Sequence, residues 1–246
     1  MAGFVLIHGS WHGGWCFDPV AALLRAEGHF VFAPDLPGMG GDEATLRGVT
    51  LDGWASFAVE ECRRMRGLVG AGGKVLLAGH SRGGIVVSAA AEKDPTAMDA
   101  LAYICAMMMP DGLSRAAFKA MEEPTPEFDA LASKVFDGAG TVVDPTRAGA
   151  VFAQLSPPEL VAAALDRLVA EPHGPRAEPV RTSPERWGSL PRTYIECTED
   201  RTIPIGSQRK MQAMSPGARV VTLHTDHSPF LSQPAALAEA LLAAVS

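Results

Sequence analysis

An alternation constrains this chain more than any other feature. Short apolar runs recur along it, and segments with a helical apolar face lie between them. Phe4–Ile7, Phe30–Ala33, Val75–Ala78 and Leu101–Cys105 are such runs, and Arg192–Glu196 and Arg219–Leu223 resume the strand-like pattern near the end. A strand that is apolar on both sides must be covered on both faces, which a parallel sheet between helices achieves. The intervening stretches supply those helices. Leu51–Val69 carries Trp54, Phe57, Ala58, Cys62, Met65 and Val69 at helical spacing, with Glu60, Glu61, Arg63 and Arg64 interleaved. Pro19 opens a helical pattern that Gly28 stops, Ile205–Met214 ends before Pro216-Gly217, and Pro234–Val245 closes the chain. The sequence therefore predicts an α/β fold with a mostly parallel central sheet flanked by helices.

The alternation breaks at Met107-Met108-Met109-Pro110. From there to Trp187 the chain is rich in proline, alanine and charge. The pattern predicts helical segments at Ser114–Met121, Thr125–Val135 and Pro157–Val169, the last after Ser156 as N-cap, and predicts no strand. The proline-dense stretch Glu171–Pro184 reads as a return linker. The expected organisation is a core of residues 1–106 and 188–246, interrupted by a mainly helical cap at 107–187.

One strand-to-helix junction stands out from the others. Lys74–Gly84 runs from the apolar stretch Val75–Ala78 through Gly79-His80-Ser81-Arg82-Gly83 into the helical Ile85–Ala91. Gly-x-Ser-x-Gly between a strand and a helix is the context of a nucleophile elbow. The glycines leave room for strand and helix to close around a strained serine, and the helix N-terminus aims amides at developing negative charge.

Composition limits what such a junction can serve. The chain has 246 residues, of which 47% are hydrophobic and 20% charged, so it fits one domain with a sizeable insertion rather than a disordered segment. Its net charge of −7, with no Lys/Arg run longer than Arg63-Arg64, argues against nucleic acid or an anionic membrane as partner. No apolar stretch reaches ~18 residues, so no membrane span is expected. Cys16, Cys62, Cys105 and Cys197 are widely separated and form no Cys-x-x-Cys pair, so neither zinc nor a redox motif is expected, and buried reduced thiols are. Met1-Ala2-Gly3 leads straight into a strand without a basic leader, from which a cytoplasmic location is expected. Neither a metal nor an organic cofactor is expected, and a homodimer is compatible with the sequence.

In open parallel sheets, reactive groups collect in loops at the carboxyl ends of strands. Those loops here hold Gly9–His12, Asp35, Ser81, Asp200 and His227. A nucleophilic serine needs a base and a group orienting that base. The order serine, acid, histidine selects the last loop for the base. His227 lies at the apex of that loop, whereas His224 directly follows strand residues. For the acid, side-chain alternation lets only one of Glu199 and Asp200 face the site; Asp226 adjoins the histidine, and Asp35 sits in a turn-forming Asp-Leu-Pro-Gly. An oxyanion hole needs two backbone N–H donors, for which Arg82 and Ser10 are the candidates. Trp11 and Trp15 are candidate walls of an acyl pocket or plain core.

These residues resemble a known family. His8–Trp15, Gly79–Gly84, Ser183–Ser189, Cys197–Pro204 with Gln208-Arg209, and Asp226–Pro234 are similar, in order and spacing, to the methyl salicylate esterase and hydroxynitrile lyase group of α/β-hydrolases. The resemblance implies an α/β-hydrolase fold. It makes Ser81 the nucleophile, His227 the base and Asp200 its orienting acid, with oxyanion donors at the amides of Ser10 and Arg82. It also implies a carboxylic ester hydrolase acting on a small ester with an apolar or aromatic part. Candidate pocket walls are Trp11, Met107, Met108, Phe118, Phe128, Phe152 and Phe230. Lyases of the group carry a threonine after the first-loop histidine and a lysine after the catalytic one; this chain has Gly9 and Ser228, which favours the esterase. Cyanohydrin cleavage and a non-catalytic small-molecule receptor are the alternatives. Arg82 stands where the plant esterases commonly have leucine, and an acidic substrate follows if its side chain faces the pocket.

Overall fold

The computed structural model describes residues 1–245; residue 246, the last of the expected core, lies outside them. The chain runs β1 (Ala2–Ile7), α1 (Asp18–Ala26), β2 (Phe30–Phe32), α2 (Glu43–Gly48), α3 (Leu51–Val69), β3 (Lys74–His80), α4 (Gly83–Lys93) and β4 (Ala100–Ile104). An excursion follows: α5 (Arg115–Lys119), α6 (Pro126–Asp129), β5 (Ala132–Val135), β6 (Gly140–Val143), α7 (Pro145–Phe152), α8 (Pro158–Leu165), β7 (Glu171–Pro172) and α9 (Gly174–Ala177). The chain then returns through β8 (Arg192–Cys197), α10 (Ile205–Met214), β9 (Arg219–Leu223), α11 (Pro229–Ser232) and α12 (Pro234–Val245).

Six strands form one parallel sheet in the order β2-β1-β3-β4-β8-β9. Side chains of β1 alternate between its two faces, as a pleated strand requires. Val5 and Ile7 pack with Trp54, Met65 and Val86 of α3 and α4, while Phe4 and Leu6 pack with Val20 and Leu24 of α1 and Leu237 and Leu241 of α12. The continuous apolar runs are thus explained by helices on both sides. The strand order reverses between β1 and β3, where Ile7 stands beside Gly79. Ligands of open parallel sheets bind at such a switch point, beyond the strands' carboxyl ends.

The excursion departs from the mainly helical segment that its composition suggests. It contains a three-stranded antiparallel sheet, β5-β6-β7. The helix expected over Thr125–Val135 stops at Asp129, and Ala132–Val135 is a strand. The reason is local: Phe136, Asp137 and Gly138 all take positive φ (51°, 49° and 85°), making a tight turn that folds β6 back on β5. Asp-Gly between β-branched runs is a hairpin signal, and it outweighs the weak helical periodicity. Pro172, expected in a linker, lies instead on the short strand β7 beside Gly140, at an edge where its missing N–H costs no ladder bond. A third apolar cluster ties this unit to the main sheet, because Trp11 from the loop after β1 packs with Leu131, Val143 and Phe152 of the excursion. Among the described residues no helix is long and apolar enough to cross a membrane, and all four cysteines are free and buried.

Candidate active site

Ser81 follows β3 at φ 52°, a left-handed conformation that costs a residue with a Cβ. The neighbouring glycines make it attainable. A Cβ on Gly79 would lie 2.6 Å from the backbone of Gly83, and one on Gly83 would lie 2.6 Å from the carbonyl oxygen of Ile7. Both ends of the turn are therefore closed to any larger residue. The serine's own backbone is tied down: its amide donates to Ile104 O at 3.1 Å, and its carbonyl accepts from Met107 N at 2.9 Å.

His227 Nδ1 donates to Asp200 Oδ2 at 2.7 Å, with both side chains buried. This contact puts the ring proton on Nδ1 and leaves Nε2 as the free lone pair. Asp200 is held by further donors: the amides of Thr202 and Ile203 reach its Oδ1 at 2.7 and 2.8 Å, and Gln208 Nε2 reaches Oδ2 at 3.4 Å. Gln208, fully buried, also exchanges hydrogen bonds with the backbone of Cys197 and donates to Ile203 O, so one side chain shapes the whole acid loop. Of the paired acids, Glu199 is exposed and Asp200 buried, as alternation requires. His224 is exposed, its ring near Thr198, and takes no part. Asp35 accepts from Gly14 N and serves the turn.

Ser10, Trp11, His12, His80, Ser81, Arg82 and His227 line one cavity, whose empty volume of about 490 Å³ includes its opening to solvent. The amides of Ser10 and Arg82 donate to no protein acceptor among the described residues. Of the expected pocket walls, Trp11, Met107, Phe128 and Phe152 line the cavity, and Trp11 stacks on Phe152 at 5.9 Å. Phe118 and Phe230 do not. Phe118 is buried in the core on one side of the sheet, together with Met108. Phe230 lies behind the site, edge-on to His80 at 5.0 Å and against Phe17, because α11 turns it inward to the opposite core.

Three further histidines surround the site, and sequence patterning had no role for them. His80 Nε2 donates to His227 O at 2.7 Å, bracing the backbone of that residue. His12 Nδ1 donates to Ser10 O at 2.7 Å, and His8 Nδ1 donates to Gly9 O while its Nε2 accepts from Leu36 N. Burial pushes His8 and His12 down to about 4 and His80 well below the usual histidine range, so all three are neutral at pH 7. His80, Cys105 and His227 bring potential metal-ligand atoms within 4.8 Å of one another. Burial drives the Cys105 thiol far up, however, which disfavours the thiolate that an ion would require.

The side chain of Arg82 is not free to meet a substrate charge. Its Nη2 lies 2.8 Å from Glu171 Oε2, both side chains at most 5% exposed, and its guanidinium covers Trp54. Glu171 in turn accepts from Thr141 Oγ1, which accepts from Trp11 Nε1. Asp226 is likewise structural: it accepts from Leu155 N and Ser156 Oγ of the excursion and from Ser228 N and Ser232 Oγ of its own loop.

Comparison with known proteins shows the family of this fold. The model of the alpha/beta hydrolase family matches residues 4–240. The chain is 34% identical to a pyrethroid hydrolase of Sphingobium wenxiniae over 245 residues, covering 96% of this chain and 85% of that protein. It is 31% identical to methyl jasmonate esterase 1 of Vitis vinifera, covering 94% and 92%. The crystal structure of a pyrethroid hydrolase from Sphingobium faniae superposes with a TM-score of 0.86 at 31% identity, covering 98% of this chain and 96% of that one. The chain belongs to the alpha/beta hydrolase family, in the group that contains the methylesterases.

Proposed function

We propose that this ester hydrolase is a serine carboxylesterase for small esters with an apolar or aromatic part, working through an acyl-enzyme. Ser81 Oγ attacks the ester carbonyl carbon while His227 Nε2 takes its proton. Asp200 holds the imidazole in the required tautomer and stabilises the imidazolium as it forms. The tetrahedral oxyanion accepts hydrogen bonds from the amides of Ser10 and Arg82. The alcohol leaves with the proton from His227; water then gives its proton to the same nitrogen and attacks the acyl carbon, releasing the acid and restoring Ser81. Residues 107–187 act as a cap, with Met107, Phe128 and Phe152 bounding the pocket.

The observation that carries this reading is the Asp200–His227 couple at 2.7 Å opening on the same cavity as a serine in strained backbone geometry. Gly9 supports ester over cyanohydrin chemistry: a Cβ there would lie 2.8 Å from Ser81 Cβ and 2.9 Å from His80 Nδ1, so the threonine of the lyases has no room. Hydrolysis of p-nitrophenyl acetate tests the proposal. Ser81→Ala is expected to lower kcat by at least ~10³-fold. Unchanged turnover in that variant, or cyanide release from mandelonitrile at a rate matching ester hydrolysis, would overturn it.

A further inference from the structure

We infer that the ester this enzyme hydrolyses carries a carboxylate separate from its scissile group, and that Arg176 is the residue that receives it. The inference rests on the esterase reading above and names its substrate class. Three arginines line the cavity that holds Ser81: Arg82, Arg115 and Arg176. Two are neutralised from within the protein. Arg82 pairs with Glu171 at 2.8 Å and Arg115 with Glu122 at 2.7 Å, all four side chains at most 5% exposed. Arg176 has no carboxylate within ion-pair distance among the described residues, and its side chain donates no hydrogen bond to them.

The charge is uncompensated where it stands. Arg176 is half-buried on α9, which packs against α5, the helix that carries Arg115. Burial lowers the guanidinium groups of Arg82 and Arg115 and the ring of His173, and the positive charge of Arg176 adds a smaller push in the same direction. Among the remaining walls Trp11, Met107, Phe128, Phe152 and Ile203 are apolar, and no lining residue is a carboxylate that would compete for the charge. A guanidinium kept partly from water loses hydration that only an anion restores, and its planar fork matches a carboxylate in two parallel hydrogen bonds. One unpaired cation balances one monoanion, which fits a carboxylate better than a phosphate dianion. Arg82, the elbow arginine, is excluded from this task because Glu171 already occupies it.

The test compares methyl 4-carboxybenzoate with its neutral isostere methyl 4-carbamoylbenzoate. Wild type, Arg176→Gln and Ser81→Ala are assayed on both, and the readout is the ratio of kcat/KM for acid over amide. Arg176→Gln is expected to lower that ratio about tenfold, through KM rather than kcat. Arg176→Glu lowers it further. Should neither variant fold, the unaltered protein still reports: KM for the acid rises with added NaCl while KM for the amide does not. Turnover of both esters with a ratio indifferent to Arg176 and to salt overturns the carboxylate subsite and leaves the esterase reading standing. Turnover of neither ester by wild type, or unimpaired turnover by Ser81→Ala, overturns both.

Discussion

At the scale of single residues, the site works by restricting where protons can sit. Asp200 Oδ1 is occupied by two backbone amides, so Oδ2 alone faces His227. Asp200→Asn would keep its oxygen on those amides and turn its NH₂ toward Nδ1. The imidazole would then carry its proton on Nε2 and could not act as a base. We expect kcat to fall by about 10³–10⁴-fold with little change in fold, measured on p-nitrophenyl acetate and by circular dichroism. A loss of less than about tenfold would mean that Asp200 does not orient the base. Ser81, Asp200 and His227 were legible in the sequence because each follows a strand with a local signature: glycines about the serine, a Glu-Asp pair after β8, an Asp-His apex after β9. The role of His80 was not, because its work is a hydrogen bond to a backbone distant in the chain, His227 O. No spacing encodes such a partner.

At the scale of elements, the elbow and the excursion are joined by charge. Arg82 immediately precedes α4, Glu171 lies on β7, and their ion pair is buried together with the bond from Thr141 on β6. Breaking such a pair leaves a charge buried without a partner. Glu171→Gln should therefore destabilise the protein by about 3–5 kcal/mol in urea unfolding, whereas Arg82→Met combined with Glu171→Gln should recover much of the loss. A double variant no more stable than Glu171→Gln would show that packing, not the unpaired charge, sets the cost. Asp226 makes a second join, from the histidine loop to the chain between α7 and α8. These links explain an element that periodicity misread. Residues 125–135 have a weak helical pattern, but β5 is completed by pairing with β6, and β6 by β7, from a distant part of the sequence. The turn at Phe136–Gly138 is a local signal for the first two strands, whereas the third lies outside any local window.

At the scale of the molecule, buried neutral histidines stand around the candidate site, between the two apolar layers of the core. That arrangement carries a pH dependence. Burial holds His8 and His12 near 4 and His80 well below the usual histidine range, against about 6.5 in an unfolded chain. Below 6.5 the unfolded chain binds protons that the native one refuses, so stability is full above about 6.5 and falls as the pH drops toward 4. His8 and His12 each contribute on the order of 3 kcal/mol to that loss. The urea midpoint should decline steadily from pH 7 to 4.5, and a flat midpoint over that range would contradict neutral burial of these rings. The alternation of apolar runs by itself determined the covered parallel sheet, because a strand apolar on both sides has no other stable place. Glycines and chain order likewise marked Ser81 and narrowed the candidates for base and acid to loops near the end of the chain. Tertiary structure alone decided that Phe118 and Phe230 face the core, that the excursion contains a sheet, and that Arg82 is neutralised while Arg176 is not. Apolarity and turn chemistry are properties of a short stretch of chain. The state of a charge depends on which distant residue the fold brings within a few ångströms of it.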